Sequence, residues 1–231
     1  AVRLEAARAL ADVASSNDAA NDPALTAATN EYFKAQAGAT DLPATHLNLG
    51  VTYQRRQELP QAEDSYRTAI RLDPWFTPAV LNLATLLNEQ RRNEEAEAVL
   101  RGGLERAPDN GELHYSLGLI LAEENHIEAA LTSLSKAAAL VPDRARVRYN
   151  YGLALQRMNR LDDAETALNV ARVLDPVDPD ILLALTRLLV DQRRWKEAQA
   201  SATDLVRLRP MDSNPQRLLN QIRLRIRQTG P

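Results

Sequence analysis

The chain is predicted to fold as an all-α protein, a right-handed α-α superhelix of stacked helix pairs closed by a C-terminal capping helix. Three observations predict this class. Pro74, Pro108, Pro142, Pro176 and Pro210 each stand 34 residues after the last, and a fixed period of that size marks one small supersecondary unit copied in tandem. Small and large apolar residues recur in the same register. The composition is 45% apolar but only 4% aromatic, with eight glycines. A core of Ala and Leu, with Val and Ile sparse, favours helix over sheet.

Residues 1–42 form the first segment. Val2, Arg3, Ala6, Ala7 and Leu10 resemble the second helix of a HEAT repeat. Residues 15–22 are a polar connector. Residues 22–38, with Ala28, Tyr32 and Ala35, read as a degenerate half-repeat.

Five full units are expected at 43–76, 77–110, 111–144, 145–178 and 179–212. The first helix of each carries Leu49-Gly50, Leu83-Ala84, Leu117-Gly118, Tyr151-Gly152 or Leu185-Thr186. A small residue there lets the second helix come close. That second helix carries Ala62, Ala96, Ala130, Ala164 and Ala198; four residues on, Tyr66, Leu100, Leu134, Leu168 and Ala202; three further, Ala69, Gly103, Ala137, Ala171 and Leu205. Spacings of i, i+4 and i+7 make one helical face. The proline then ends the helix, because it lacks an N–H and forces its predecessor out of the α region. Turns are expected near 57–59, 91–93, 125–126, 159–160 and 193–194. Thr77-Pro78 and Asp178-Pro179 read as N-cap plus first helical residue. Residues 213–231 hold the capping helix and tail. Leu218, Leu219, Ile222 and Ile226 line one side, and Arg217, Arg223, Arg225 and Arg227 the other; a terminal repeat needs such a polar outer face.

This pattern resembles the tetratricopeptide repeat (TPR) family over residues 43–212. Two departures stand out. Where the family expects an early aromatic, this chain has His46, Val80, His114, Arg148 and Leu182. The fifth unit has Thr186 in place of Gly or Ala, and Ala202 in place of a large residue, which predicts looser packing there. The order of a HEAT-like helix, a linker helix and TPR units is also similar to the C-terminal region of bacterial multihaem cytochrome c-type proteins. That resemblance implies a docking or assembly role in a larger periplasmic electron-transfer protein, with an upstream domain as partner. The excess of arginine over lysine, 25 to 3, points to a bacterial source.

Composition narrows function. The net charge is −3 with no basic tract, which argues against nucleic acid. There is no cysteine, so disulfides, thiol catalysis, zinc–thiolate sites and covalent c-type haem are excluded within this segment. No apolar run reaches the roughly 18 residues that span a bilayer; the longest candidate, residues 181–190, contains Arg187. The start at Ala1 is expected of a processed protein or a fragment. No cofactor is expected, and no nucleophile–base pair or phosphate loop points to an enzyme. His46 and His114 are read as packing residues and His126 as a turn residue. Glu94-Glu95, Glu123-Glu124 and Asp162-Asp163 lie near turns or helix starts, where they suit the helix dipole.

The resemblance implies a concave groove lined by the first helices that binds an extended peptide or a partner domain. The expected groove residues are Leu47, Asn48, Val51 and Arg55 in the first unit, then Leu81, Asn82 and Thr85. Tyr115, Ser116 and Leu119 follow in the third, Arg146, Tyr149, Asn150 and Leu153 in the fourth, and Arg187 in the fifth. Gln54, Glu89, Glu123, Gln156, Arg157, Asp180 and Asp191 share those faces. Asn48, Asn82 and Asn150 are register equivalents. Each carboxamide offers a donor and an acceptor, either to a peptide backbone or to the neighbouring repeat. Leu47 stands where a carboxylate clamp would need lysine, so that clamp is not expected.

Overall fold

The computed structural model describes residues 41–229. The HEAT-like helix and half-repeat read in residues 1–40 lie outside them, as do the last two residues. Eleven α-helices and no strand occur among the described residues: α1 Pro43–Arg55, α2 Leu59–Leu72, α3 Thr77–Glu89, α4 Asn93–Arg106, α5 Gly111–Glu123, α6 Ile127–Leu140, α7 Ala145–Arg157, α8 Leu161–Leu174, α9 Pro179–Asp191, α10 Trp195–Leu208 and α11 Ser213–Thr229. Each proline of the 34-residue series lies two residues past the second helix of its pair. The chain forms two compact units, Ala1–Ser116 and Leu117–Pro231.

The hairpin turns share one device. Gln57, Arg91, Asn125, Asn159 and Arg193 all have φ between 58° and 63°. Each is followed by a six-residue bond back to the helix: Glu58 N–H to Tyr53 O at 2.9 Å, Arg92 to Leu87 at 2.9 Å, His126 to Leu121 at 2.8 Å, Arg160 to Leu155 at 2.9 Å and Arg194 to Leu189 at 2.9 Å. The left-handed residue itself donates three residues back, as Gln57 N–H does to Gln54 O at 3.0 Å. This is the Schellman arrangement, which satisfies the last carbonyls of the first helix and reverses the chain. The residues before the pairs differ more. Asp178 is an N-cap as expected, its Oδ1 accepting from Asp180 N–H at 2.8 Å and Ile181 N–H at 3.4 Å. Asn110 does the same for Glu112 and Leu113 at 3.1 Å. Thr77 does not cap its helix. It is already helical, Phe76 is the N-cap, and the Thr77 hydroxyl turns back to Trp75 O at 3.4 Å, because Pro78 sits at the second helical position rather than the first.

In the first unit, Gly50 of α1 lies against the Tyr66 ring of α2, with no room for a Cβ. Ala84 and Leu100 take the same places in the next pair, both buried. A Cβ on Gly103 would stand 2.9 Å from Val80 and 3.1 Å from Leu113, so the end of α4 is wedged between α3 and the start of α5. Arg92 ties α2 to the α4 start, bonding Glu63 at 2.6 Å and Glu95 at 2.7 Å. Its guanidinium holds the Glu63 carboxyl below the usual range against the opposing effect of burial.

The second unit repeats the motif. A Cβ on Gly118 would come within 2.7 Å of Leu134, and one on Gly152 within 2.8 Å of Leu168. Arg194 joins Glu165 to Glu197 as Arg92 joins its two glutamates. The fifth pair is not loose at the two departing positions. Thr186 and Ala202 are both fully buried, so the large and small members of the contact have changed helices. The Thr186 hydroxyl bonds Leu182 O at 2.8 Å and meets the Ser201 hydroxyl at 2.8 Å, which satisfies both buried groups. α11 lays Leu219 and Ile222 on Leu189, Ala198 and Ala202, with Leu218 and Ile226 beside them.

Candidate functional site

Every expected groove residue lies on a first helix with a half-buried or exposed side chain, and none enters the core. The register that turns Gly50, Ala84 or Gly118 inward leaves a second stripe one helical turn apart on the other side.

In the first unit, Leu47, Asn48 and Val51 on α1, Leu81 and Asn82 on α3, and Tyr115 and Ser116 on α5 are half-buried, while Arg55 and Thr85 are exposed. The Asn82 carboxamide acts on the Tyr66 phenol, lowering its pKa. The phenol donates in turn to Gln54 Oε1 at 2.8 Å, and Gln54 Nε2 to Glu89 Oε2 at 3.0 Å. Burial pushes the Tyr66 phenol up to about 12, against the lowering effect of Asn82. At this rung Tyr66 and Gln54 link the first pair to Glu89 of the second. Polar residues at this spacing bond between pairs again in the second unit, where Gln156 Nε2 reaches Asp191 of the next pair at 3.3 Å and Arg157 reaches Ala122 O of the preceding pair at 3.2 Å.

The second unit holds a cavity of about 280 Å³. Leu119, Asn150 and Leu153 meet in its lining. Ala122, Ile127, Leu134 and Ala154 add apolar wall, and Glu123 and Arg157 supply charges of opposite sign. Ile127 and Leu134 belong to the second helix of the third pair, so reading only first helices misses them. Leu134 is visible in the sequence only as a packing residue. Arg146 and Tyr149 lie elsewhere. The Arg146 guanidinium sits 5.2 Å from the Tyr149 ring centroid, 3.3 Å from Asp180 and 3.5 Å from Asp178. This clip joins α7 to the start of α9. Burial, then the Asp180 carboxylate, pushes the Tyr149 phenol up. Arg187 is exposed on α9 and does not line the cavity. First-helix residues also reach the series prolines: His114 Nε2 lies 2.8 Å from Pro108 O and Arg148 Nε 3.5 Å from Pro142 O. His114 is buried, in keeping with a packing role. No helix among the described residues is long and apolar enough to cross a membrane.

The comparisons agree with this architecture. The family model described as tetratricopeptide repeat matches residues 53–120 and 121–181, more than half of the chain. A comparison with curated protein sequences finds no match. Among solved structures, the chain is similar to YrrB, described as a TPR protein with an unusual peptide-binding site: TM-score 0.66, 20% identity, 80% of this chain and 95% of that one. It is similar to MamA from Desulfovibrio magneticus RS-1, with TM-score 0.66, 23% identity and coverage of 74% and 97%. It is also similar to pilF of Pseudomonas aeruginosa, with TM-score 0.64, 22% identity and coverage of 85% and 94%. These likenesses show the fold, an all-α TPR superhelix. The period, the repeated small-on-large contact and the family match lead to one conclusion: the chain belongs to the tetratricopeptide repeat family.

Proposed function

We propose that this chain is a protein-interaction scaffold that takes an extended peptide along its first-helix face. The observation that carries the reading is the cavity where Leu119, Asn150 and Leu153 meet. Its apolar walls suit one aliphatic side chain. Asn150 is placed to exchange hydrogen bonds with a peptide group, and Glu123 and Arg157 bound the cavity with both charges. A largely apolar pocket with a few convergent polar groups is the usual form of a ligand site. YrrB, of similar fold, is described as having a peptide-binding site, which supports the class of ligand.

A displayed peptide library selected against the whole chain tests the proposal. Selected peptides should share one Leu, Ile or Met at a fixed position. Asn150→Ala and Leu119→Ala should each weaken them about tenfold, the loss of one good contact of about 1.4 kcal/mol. Asn82→Ala should leave their affinity unchanged, since Asn82 does not line the cavity. Selected peptides whose affinity ignores both Asn150 and Leu119 would refute this site. The alternative, docking within a multihaem electron-transfer protein, rests on residues 1–42, of which 1–40 lie outside the described residues. Cys-x-x-Cys-His motifs upstream in the gene would revive it.

A further inference from the structure

The repeats are internal controls for one another: a position whose character the fold demands is the same in every copy, so a departure on the surface asks for another cause. Such a departure sits on the outer side of α8. Val170, Val173 and Leu174 on α8 and Val177 in the turn after it are all exposed, and the first three, at i, i+3 and i+4, make a second apolar stripe on a helix whose first, Ala164, Ala167, Leu168 and Ala171, is already buried. The register equivalents of Val170 are Thr68, Gly102, Lys136 and Asp204. Those of Val173 are Arg71, Glu105, Ala139 and Arg207. The fold does not require an apolar residue at either place.

The stripe continues onto the next pair. Leu208 shares with Val173, Pro176 and Leu182 the lining of a cavity of about 490 Å³ on this side. Three residues on, Met211 is 98% exposed, in register with Val177 at 65%; Val173 is 78% exposed. We propose that this face, on α8, α10 and the turns after them, is an isologous interface with a second copy of the chain. Three observations favour a second copy. The exposed area of these residues is roughly 600 Å² per copy, at the top of the range that a monomer leaves as its largest apolar patch. Two such faces bury about 1,200 Å², the lower bound of a specific interface. The face also carries a cavity lined by Leu208 and, three residues on in the chain, a methionine almost wholly in solvent, and a two-fold axis can set each such knob into the hole opposite. Around it Arg207 pairs with Asp204 at 3.2 Å, and Arg172 also lines the cavity. The inference is independent of the peptide reading, which concerns first helices.

Sedimentation velocity on the whole chain, from about 1 to about 200 µM, tests it, because an interface of this size is expected to have a Kd in about the micromolar range. A monomer–dimer equilibrium is expected. Val173→Glu and Met211→Glu should each raise the dimer Kd at least tenfold with the circular dichroism spectrum unchanged, since both side chains are largely in solvent. The chain has no cysteine, so single-site cross-linking is clean. Met211→Cys should give a covalent dimer with a short bismaleimide. Lys196→Cys, exposed at the far end of α10 and about 18 Å along the helix from Leu208, should not. A single monomeric species up to about 200 µM overturns the proposal, as does a dimer whose Kd neither glutamate variant changes. In the first case, normal binding of the library-selected peptides would still leave the groove reading standing.

Discussion

At the scale of single residues, the turns show what sequence can hide. Five hairpins need a left-handed residue, and the chain fills those places with Gln57, Arg91, Asn125, Asn159 and Arg193. Asn tolerates that conformation; Gln and Arg do so at a cost of about 1–2 kcal/mol, because Cβ crowds the carbonyl oxygen. The turn positions are legible from polarity and spacing, but the sign of φ is not, for no glycine announces it. Arg193→Gly should therefore stabilise the chain by about 0.5–1 kcal/mol, the relief of strain less the added freedom of the unfolded chain. Urea titration measures it directly. A midpoint that falls would mean that the Arg193 side chain contributes more than its backbone costs. Thr77 is the complementary case. Thr-Pro reads as a cap, yet the proline takes the second helical position and the threonine is drawn into the helix.

At the scale of helices, one contact defines the fold. A small residue on the first helix meets a large one sixteen positions later on the second: Gly50 with Tyr66, Gly118 with Leu134, Gly152 with Leu168. The register of these contacts is legible in full, since it repeats. The fifth pair shows its limit. Read one position at a time, Thr186 and Ala202 are two defects; read together they are one exchange of volume, with the threonine hydroxyl bonded in place. This makes the two sites dependent on each other. Thr186→Gly should cost about 2–3 kcal/mol, from a cavity beside Ala202, a helical glycine and a lost partner for Ser201. Ala202→Leu should cost about 1–3 kcal/mol by overpacking against Thr186. The double variant restores the pattern of the other pairs, so its loss should fall short of the sum by about 1 kcal/mol or more. Thermal or urea unfolding of the four proteins closes the cycle, and strict additivity would show that the two side chains do not share a contact.

At the scale of the whole molecule, period and function are read in opposite ways. The period records what all copies share, and it is enough to give the fold class, the helix pairs and the small-on-large contact. It is silent about where the copies differ. Asn48, Asn82 and Asn150 look alike by register, yet Asn82 acts on the Tyr66 phenol, a group only the first pair possesses at that place, and Asn150 lines a cavity. Likewise Val170 and Val173 are ordinary in sequence and conspicuous only beside Lys136, Arg71 and Arg207. Two surfaces emerge from these differences, one on first helices and one on second helices, and rigid helix pairs allow them to be used at once. The free energies of separate sites add when no partner is shared. Val173→Glu should thus leave the affinity for selected peptides within about twofold, and Asn150→Ala should leave the dimer Kd within the same margin, a difference of about 0.4 kcal/mol. Fluorescence anisotropy for the first and sedimentation for the second make the comparison. A peptide affinity that collapsed along with the dimer would mean that one ligand spans both surfaces, and the assignment of separate roles to the two helices of a pair would have to be abandoned.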